Sequence, residues 1–373
     1  MKRAGLVKCI SLILAIFLLA VGFAACGKKE APKAEPKAEP AKEQPAAAPK
    51  AEPEKPKVLK KIKYTYYPVA HTTALYVAAQ EGFFAEEGLE VEFVKAGSTP
   101  DMINAVLAGE AQISNSSLPG LVNLAIQGRE PIGVYNLVWR HTMETVMLKE
   151  TADRLGISRN DSIEKRVKAL KGLRIATAGP GSEADILYRL YLKEAGLDPD
   201  KDVTMTTIKG LDLWIAALKT KQVDTFSSSP PGAFQPVVDG YGVLYISNMN
   251  GDLPALQEHP YQTVWVLKSW AKDHEEEIVS FVRAAQKATD FMFKNKDKAI
   301  KDMSAYMPPL DDKAMSMGYD SFAQGWSKDG RTTQKAMQAA MDVLFQTGSV
   351  KEKISTAEGG LWTNSYIDKA EKK

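Results

Sequence analysis

The stretch SNSSLPG, Ser114 to Gly120, returns almost unchanged as FSSSPPG, Phe226 to Gly232. The flanks share the register. NAVLAGEAQISNSSLPG from Asn104 and AALKTKQVDTFSSSPPG from Ala216 keep one offset of 112 residues. Upstream, EEGLEVEFV from Glu86 matches EAGLDPDKDVTMT from Glu194, with Gly88 and Gly196 offset by 108. The insertion DPDK, Asp198 to Lys201, accounts for the difference. A constant offset broken by one identifiable insertion marks a duplicated unit. A chain that carries the same unit twice is constrained to fold as two similar lobes.

Each half reads strand, loop, helix, Gly-Leu, strand, helix, strand, Ser-rich loop, helix. The first strands are IKYTYY from Ile62 and LRIATA from Leu173. Leu75, Val77, Ala78 and Phe83 fall near helical period and run to Gly88, a suitable residue for a left-handed helix end. Ile186, Leu187, Leu190 and Tyr191 do the same ahead of Gly196. Such alternation predicts parallel βαβ units with helices on both faces, an α/β fold. Ligands of open α/β sheets bind beyond the carboxyl ends of the strands. Both Ser-rich loops belong there, so the lobes are expected to face each other across a cleft.

The folded part starts late. Lys2, Arg3 and Lys8 precede an apolar run, Cys9 to Gly22, too short for a comfortable membrane span. FAAC follows, ending at Cys26. Residues 1–25 read as a lipoprotein-type signal peptide, with Cys26 the lipidated residue of a membrane-anchored chain in the periplasm or at the cell surface. Phe23 departs from the usual Leu of that motif, and an ordinary signal cut near Ala25 is the alternative. Cys9 lies in the signal, so Cys26 alone survives processing and no intrachain disulfide forms. Gly27 to Lys57 is rich in Pro, Ala, Lys and Glu without a large apolar side chain, so residues 26–60 read as the lipidated Cys and a disordered tether. At about 3.1 Å per residue it reaches on the order of 90 Å. A net charge of +2 over 373 residues argues against nucleic acid as a partner.

TTALYVAAQEGFFAEEGLEVEFV, NAVLAGEAQIS, LKGLRIATAGPGSEADILYRLYLKEAGLDPDKDV and AALKTKQVDTF, in that order, resemble the substrate-binding proteins of ABC importers of the nitrate/sulfonate/taurine group. That group also contains binders of pyrimidine vitamin precursors and aromatic acids. The resemblance covers roughly Ile62 to Phe345. It implies a two-lobed type II periplasmic-binding-protein fold, with parallel-rich sheets flanked by helices and joined by two hinge crossings. Lobe 1 is expected at 61–145 and 262–373, and lobe 2 at 146–261. METVMLKE from Met143 and YQTVWVLKSW from Tyr261 are alike and are expected to pair as strands at the crossings. The helical C-terminal third is expected to pack on lobe 1.

The resemblance further implies a monomer that takes a small-molecule solute, closes on it, and delivers it to an ABC permease and its ATPase, without cofactor. A sensor that binds a solute and contacts a membrane receptor is the alternative. A relative of this fold synthesises a pyrimidine with a Cys-rich motif and an active-site His. The absence of mature Cys other than Cys26, and of any nucleophile–base motif, speaks against an enzyme. No His pair has metal-ligand spacing.

Candidate ligand contacts come from loops at equivalent strand ends. In the first half these are Tyr67 and His71, then Ser98 and Thr99, then Asn115, Ser116 and Ser117. In the second they are Gly181 and Ser182, Trp214, and Ser228 and Ser229. GPGS opens a helix whose free N–H groups favour anions, although Ser182 with Asp185 also reads as a cap. Thr99 is expected to cap its helix, with Pro100 next. Trp139 and Arg140 stand at the first crossing, where Arg can clamp a sulfonate or carboxylate and Trp can cover an apolar body. A sulfonate or similar organic anion is thus the first expectation for the solute. An aromatic or pyrimidine-like solute, from Tyr67, Trp139 and Trp214, is the second.

Overall fold

A computed structural model describes residues 59–254, 257, 259–346 and 348–372. The expected signal peptide, Cys26 and the expected tether up to residue 58 lie outside the described residues. Among the described residues no helix is long and apolar enough to cross a membrane.

The chain builds two mixed five-stranded sheets. The first holds β1 (Lys60–Tyr66), β2 (Leu89–Lys95), β3 (Ile113–Ser116), β4 (Pro131–Val138) and β10 (Gln262–Leu267), in the order β2-β1-β3-β10-β4. The second holds β5 (Glu144–Leu148), β6 (Arg174–Thr177), β7 (Thr204–Thr207), β8 (Thr225–Ser228) and β9 (Gly242–Ser247), in the order β7-β6-β8-β5-β9. β1 runs parallel to β2 and β3, and β6 runs parallel to β7 and β8. The antiparallel members are β10, between β3 and β4, and β5, between β8 and β9.

The two sheets therefore share one topology. The offset of 112 holds in three dimensions: the helix Thr99–Leu107 corresponds to Leu211–Lys219, and β3 to β8. The repeated glycine of the Ser-rich loops has a steric cause. A methyl on Gly120 would stand 2.2 Å from Ser116 Oγ. One on Gly232 would stand 3.0 Å from Ser228 Oγ and 2.5 Å from Leu211. In both halves the missing Cβ lets the chain after the loop fold back onto the hydroxyl that ends the strand.

Two sequence expectations are corrected. Met143–Glu150 and Tyr261–Trp270 do not pair with each other, because each fills the antiparallel slot of a different sheet. They look alike because the slots are equivalent, buried on both faces. The chain has changed sheets by Glu144, so the first crossing is 139–143 and the second is 248–261. The C-terminal third also does not pack on the first lobe alone. The helix Asp312–Phe322 spans both. On one side Tyr319 Oη donates to the Met292 carbonyl at 2.6 Å, and the Tyr319 and Phe322 rings meet Trp326 at 4.7 and 5.1 Å. On the other, Gly318 lies on Pro231, and Asp311 N donates to Gln235 Oε1 at 2.8 Å.

Strand alternation divides the core of the first sheet. Val264 and Val266 join Tyr64, Phe84 and Phe281 under the helices Thr73–Gln80 and Glu275–Lys294. Trp265, between them, faces Leu118, Leu121, Met337, Met341 and Trp362 under Leu118–Ile126 and Gln334–Gln346. With both faces covered, all eight residues of β4 are buried.

Glu144 is fully buried where crossings and bridging helix meet. Its Oε1 accepts from Ser247 Oγ at 2.9 Å and Ser321 Oγ at 3.4 Å. Burial pushes its carboxyl up to about 8, against the smaller opposing effects of Ser247, Arg159 and Ser321. The folded state thus holds a proton that the unfolded chain releases above its ordinary value of 4.5. This contribution to stability is complete below about pH 4.5 and is lost as pH rises to about 8. Glu144→Gln, which cannot ionise, should remove that slope of about 1.4 kcal/mol per pH unit. Urea unfolding of both proteins at pH 5, 6.5 and 8 measures it, and parallel profiles would refute the assignment. A second variant tests the bridge. Ala is preferred over Gly in helices by about 1 kcal/mol, but a Cβ at Gly318 would lie 2.3 Å from Pro231 Cβ and 2.4 Å from its Cα. Gly318→Ala is therefore expected to lose about 1–2 kcal/mol net; unchanged or increased stability in the same assay would show that the helix shifts freely.

Candidate functional site

The Ser-rich loops leave the carboxyl ends of β3 and β8 and face each other across a cleft of about 960 Å³. The first lobe contributes Tyr67, His71, Ser98, Thr99 and Ser117 to its walls, and the second contributes Gly181, Ser182, Trp214, Ser228 and Ser229. The crossings and the start of β10 supply Met143, Tyr261 and Gln262. The other four sequence candidates lie elsewhere. Asn115 is buried behind the wall, accepting from Tyr64 Oη and donating to Gln262 Oε1 at 2.9 Å, so it orients a lining residue. Ser116 is fully buried, and its Oγ has no partner among the described residues. Trp139 is exposed, and the Arg140 guanidinium lies over its ring at 4.2 Å rather than in the cleft. No clamp for an anion is formed there.

Several lining hydroxyls and amides are already engaged. Ser98, not Thr99, is the N-cap: its Oγ accepts from Asp101 N at 3.3 Å and donates to Asp101 Oδ2 at 2.6 Å. Ser182 Oγ accepts from Asp185 N at 3.3 Å, and Gly181 N donates to Asp185 Oδ2 at 2.9 Å. Gly181 adopts φ +77°, which aims that N–H at the carboxylate. The N-terminus of the helix Glu183–Glu194 is thus filled by its own side chain. Ser229 Oγ and Thr142 Oγ1 are 3.0 Å apart. Trp214 Nε1 donates to the Ile208 carbonyl at 2.6 Å, which fixes its ring in the second wall.

The chemistry that sequence reasoning missed is concentrated at the cleft floor. Glu183, the first residue of that helix, keeps a fifth of its side chain accessible and meets His141 Nε2 at 3.0 Å. Burial drives its carboxyl up, but the hydrogen bond and charge of His141, with His259 and Ser117, outweigh this and hold it below its ordinary value. His71 is buried, with its Nδ1 unpartnered, and burial takes it down to about 3 against the pull of Glu183. Burial and His141 take His259 to about 4. Near neutral pH the floor therefore presents a carboxylate beside the neutral imidazoles of His71 and His259. Tyr261 is the hub, its ring centroid 4.6 Å from His141, 6.3 Å from His71 and 6.4 Å from His259. The sequence did carry a signal: three of the four histidines fall in the first loop and the two crossings. Glu183 was hidden because an acidic residue in a helix's first turn reads as dipole compensation. Among the described residues no group of three or more His, Cys, Asp or Glu side chains is arranged to hold a metal.

The chain belongs to the NMT1-like family, whose model matches residues 54–307. It is 25% identical over 229 residues to the bicarbonate transport ATP-binding protein CmpC of Synechocystis sp., covering 60% of this chain and 34% of that one. It is 22% identical over 255 residues to the bicarbonate-binding protein CmpA of Synechococcus elongatus, covering 65% and 56%. It is also 25% identical over 237 residues to the formylaminopyrimidine-binding protein of Halalkalibacterium halodurans, covering 63% and 66%. The chain thus spans about a third to two thirds of these relatives. In fold it matches a putative periplasmic sulfonate-binding protein SsuA from Methylobacillus flagellatus KT, with TM-score 0.61 and 19% identity over 84% of this chain and 94% of that one. It also matches the desulfurization enzyme DszB, with TM-score 0.55 and 16% identity over 83% and 98%. The architecture is the periplasmic-binding-protein fold, and the fold alone does not decide between binder and enzyme.

The placement of Arg140 has a direct consequence. Arg140→Ala should leave the affinity of any cleft-bound solute within about twofold of wild type by calorimetry, since Arg140 does not line the cleft and substitutions away from a site change little. A tenfold loss would return Arg140 to the site.

Proposed function

We propose that this protein is the extracytoplasmic solute-binding component of an ABC importer. It acts as a monomer anchored through lipidated Cys26, with the lobes built on the first and second sheets closing on a solute that passes to a permease and its ATPase. The observation that carries this is the cleft itself, walled by the duplicated loops and floored by both crossings, as hinge closure requires. The bicarbonate- and formylaminopyrimidine-binding relatives support it. A binder is favoured over an enzyme because Ser98 and Ser182 serve as helix caps and Ser229 bonds Thr142.

For the solute, the cleft favours a small planar heterocycle with N–H donors. Glu183 supplies an ionised acceptor, His71 a neutral ring with an unpartnered nitrogen, and Tyr67, Tyr261 and Trp214 supply aromatic surface. An anion is the second reading, and the cationic Arg189, Lys193 and Lys209 in the lining are the observation for it. It would have to sit near Glu183 and at a helix start already occupied by Asp185.

Calorimetric titration of the protein with formylaminopyrimidine, nitrate, bicarbonate and an alkanesulfonate separates these. Binding of the pyrimidine alone, lost roughly 10- to 100-fold in Glu183→Gln, is expected from removal of one charged hydrogen bond. Tighter binding of an anion, or anion affinity that Glu183→Gln leaves unchanged, would refute the heterocycle reading.

A further inference from the structure

The side chain that directly holds the Glu183 carboxylate lies on the first crossing, outside the helix Glu183–Glu194. His141 lies on the first crossing, 3% exposed, with Nε2 3.0 Å from Glu183 Oε1. Behind it, Asn248 Nδ2 donates to His141 Nδ1 at 3.0 Å and to the Met143 carbonyl at 3.0 Å. Asn248 Oδ1 in turn accepts from Tyr191 Oη at 3.3 Å. With an amide N–H on Nδ1, that nitrogen is the acceptor, and Nε2 is the nitrogen whose proton points at the carboxylate. Asn248 opens the second crossing, and its carbonyl accepts from Gln257 Nε2 at 2.8 Å. The relay thus leaves the helix of Glu183 at Tyr191, passes through Asn248 at the start of the second crossing and His141 on the first, and returns to that helix at Glu183 in the cleft.

We infer that His141 is a positioning residue for solute recognition, holding the Glu183 carboxylate against the cleft from the hinge so that hinge setting and carboxylate orientation change together. The inference rests on the cleft being the solute site proposed above. Its logic is mechanical. A carboxylate anchored within its own lobe would meet the solute identically in open and closed forms. One anchored on the crossings is aligned only when the crossings adopt the right geometry, which ties recognition to closure.

The charged and titratable groups around Glu183 fit this role. From the first lobe it faces His71, and from the second crossing His259 and Tyr261. On its own helix, Asp185 and Arg189 pair with each other at 3.0 Å. Burial keeps His71 and His259 neutral near pH 7, so the His141 N–H is the leading group that favours the charged form.

Two variants of the full chain test it: His141→Ala, and His141→Gln, whose amide places an N–H near the position of Nε2. The first readout is the Glu183 carboxyl titration, followed by NMR with ¹³C-labelled glutamate and no ligand. The second is formylaminopyrimidine affinity from pH 5 to 8. His141→Ala should move the Glu183 titration to higher pH and lower affinity roughly tenfold, most at the acid end, with His141→Gln recovering most of both. A Glu183 titration unmoved in His141→Ala, or equal impairment in the two variants, would overturn the inference. If His141→Ala does not fold, Asn248→Ala takes its place: the same upward movement is expected, and an unmoved titration overturns the inference. If formylaminopyrimidine does not bind the wild-type protein, the solute reading fails, while the ligand-free titration still decides the role of His141.

Discussion

Everything in this molecule depends on an exchange of strands. Neither sheet can be completed by its own half of the duplication. β5 enters the second sheet only after the chain has finished β4 in the first, and β10 enters the first only after β9 in the second. Each crossing must therefore end where an antiparallel strand can begin, which is beside the carboxyl ends of the parallel strands. The register shows it: Glu144 lies opposite Ser228, and Thr263 opposite Ser116. The residues that carry the hinge and those that end the Ser-rich strands are neighbours by hydrogen bonding. The cleft floor is thus made of hinge.

The bridging helix Asp312–Phe322 adds a third tie to those two covalent ones. It is fixed to the first lobe by aromatic packing on Trp326, whose Nε1 donates to the Ala70 carbonyl at 3.3 Å. Against the second lobe it presents Gly318, the residue that allows the closest approach to Pro231. Glu144 sits where helix and crossings converge and bonds Ser247 and Ser321 together. A rotation of one lobe on the other moves all three of these elements. Packed interfaces of this kind have few alternative arrangements rather than a continuum.

How far the sequence disclosed this differs between fold and site. The duplication, the alternation of strand and helix, and the position of the Ser-rich loops were legible because they are local patterns carried by spacing. The similarity of Met143–Glu150 to Tyr261–Trp270 was legible too, but its meaning was not. Likeness between two apolar strands cannot say whether they are partners or occupants of equivalent slots. The bridging helix was misplaced because an amphipathic helix declares which face it buries and not against what. In the site, ten of the fourteen candidates line the cleft, whereas Asn115 and Ser116, on β3, turned inward although Ser228, the equivalent of Ser116 on β8, reached it. Arg140 was chosen for its place at the first crossing and its chemistry, and its guanidinium finds a stacking partner one residue away.

The same distinction explains why the anion expectation weakened. From sequence, a glycine-rich turn at a helix start is a set of free N–H donors. Whether they are free depends on what the first turn of that helix does with its own side chains. Here Asp185 reaches back to Gly181 N, and Asp101 is bonded to Ser98 in the opposite wall. Two cleft-lining helix starts have been neutralised by their own carboxylates. Glu183 faces the same cleft with Lys209, Arg189 and Lys193 elsewhere in its lining, and its charge is favoured by a histidine on the first crossing. A binding site that spends its helix dipoles internally and keeps a carboxylate at its floor is built to accept hydrogen-bond donors, and the neutral, buried imidazole of His71 beside it extends the same preference.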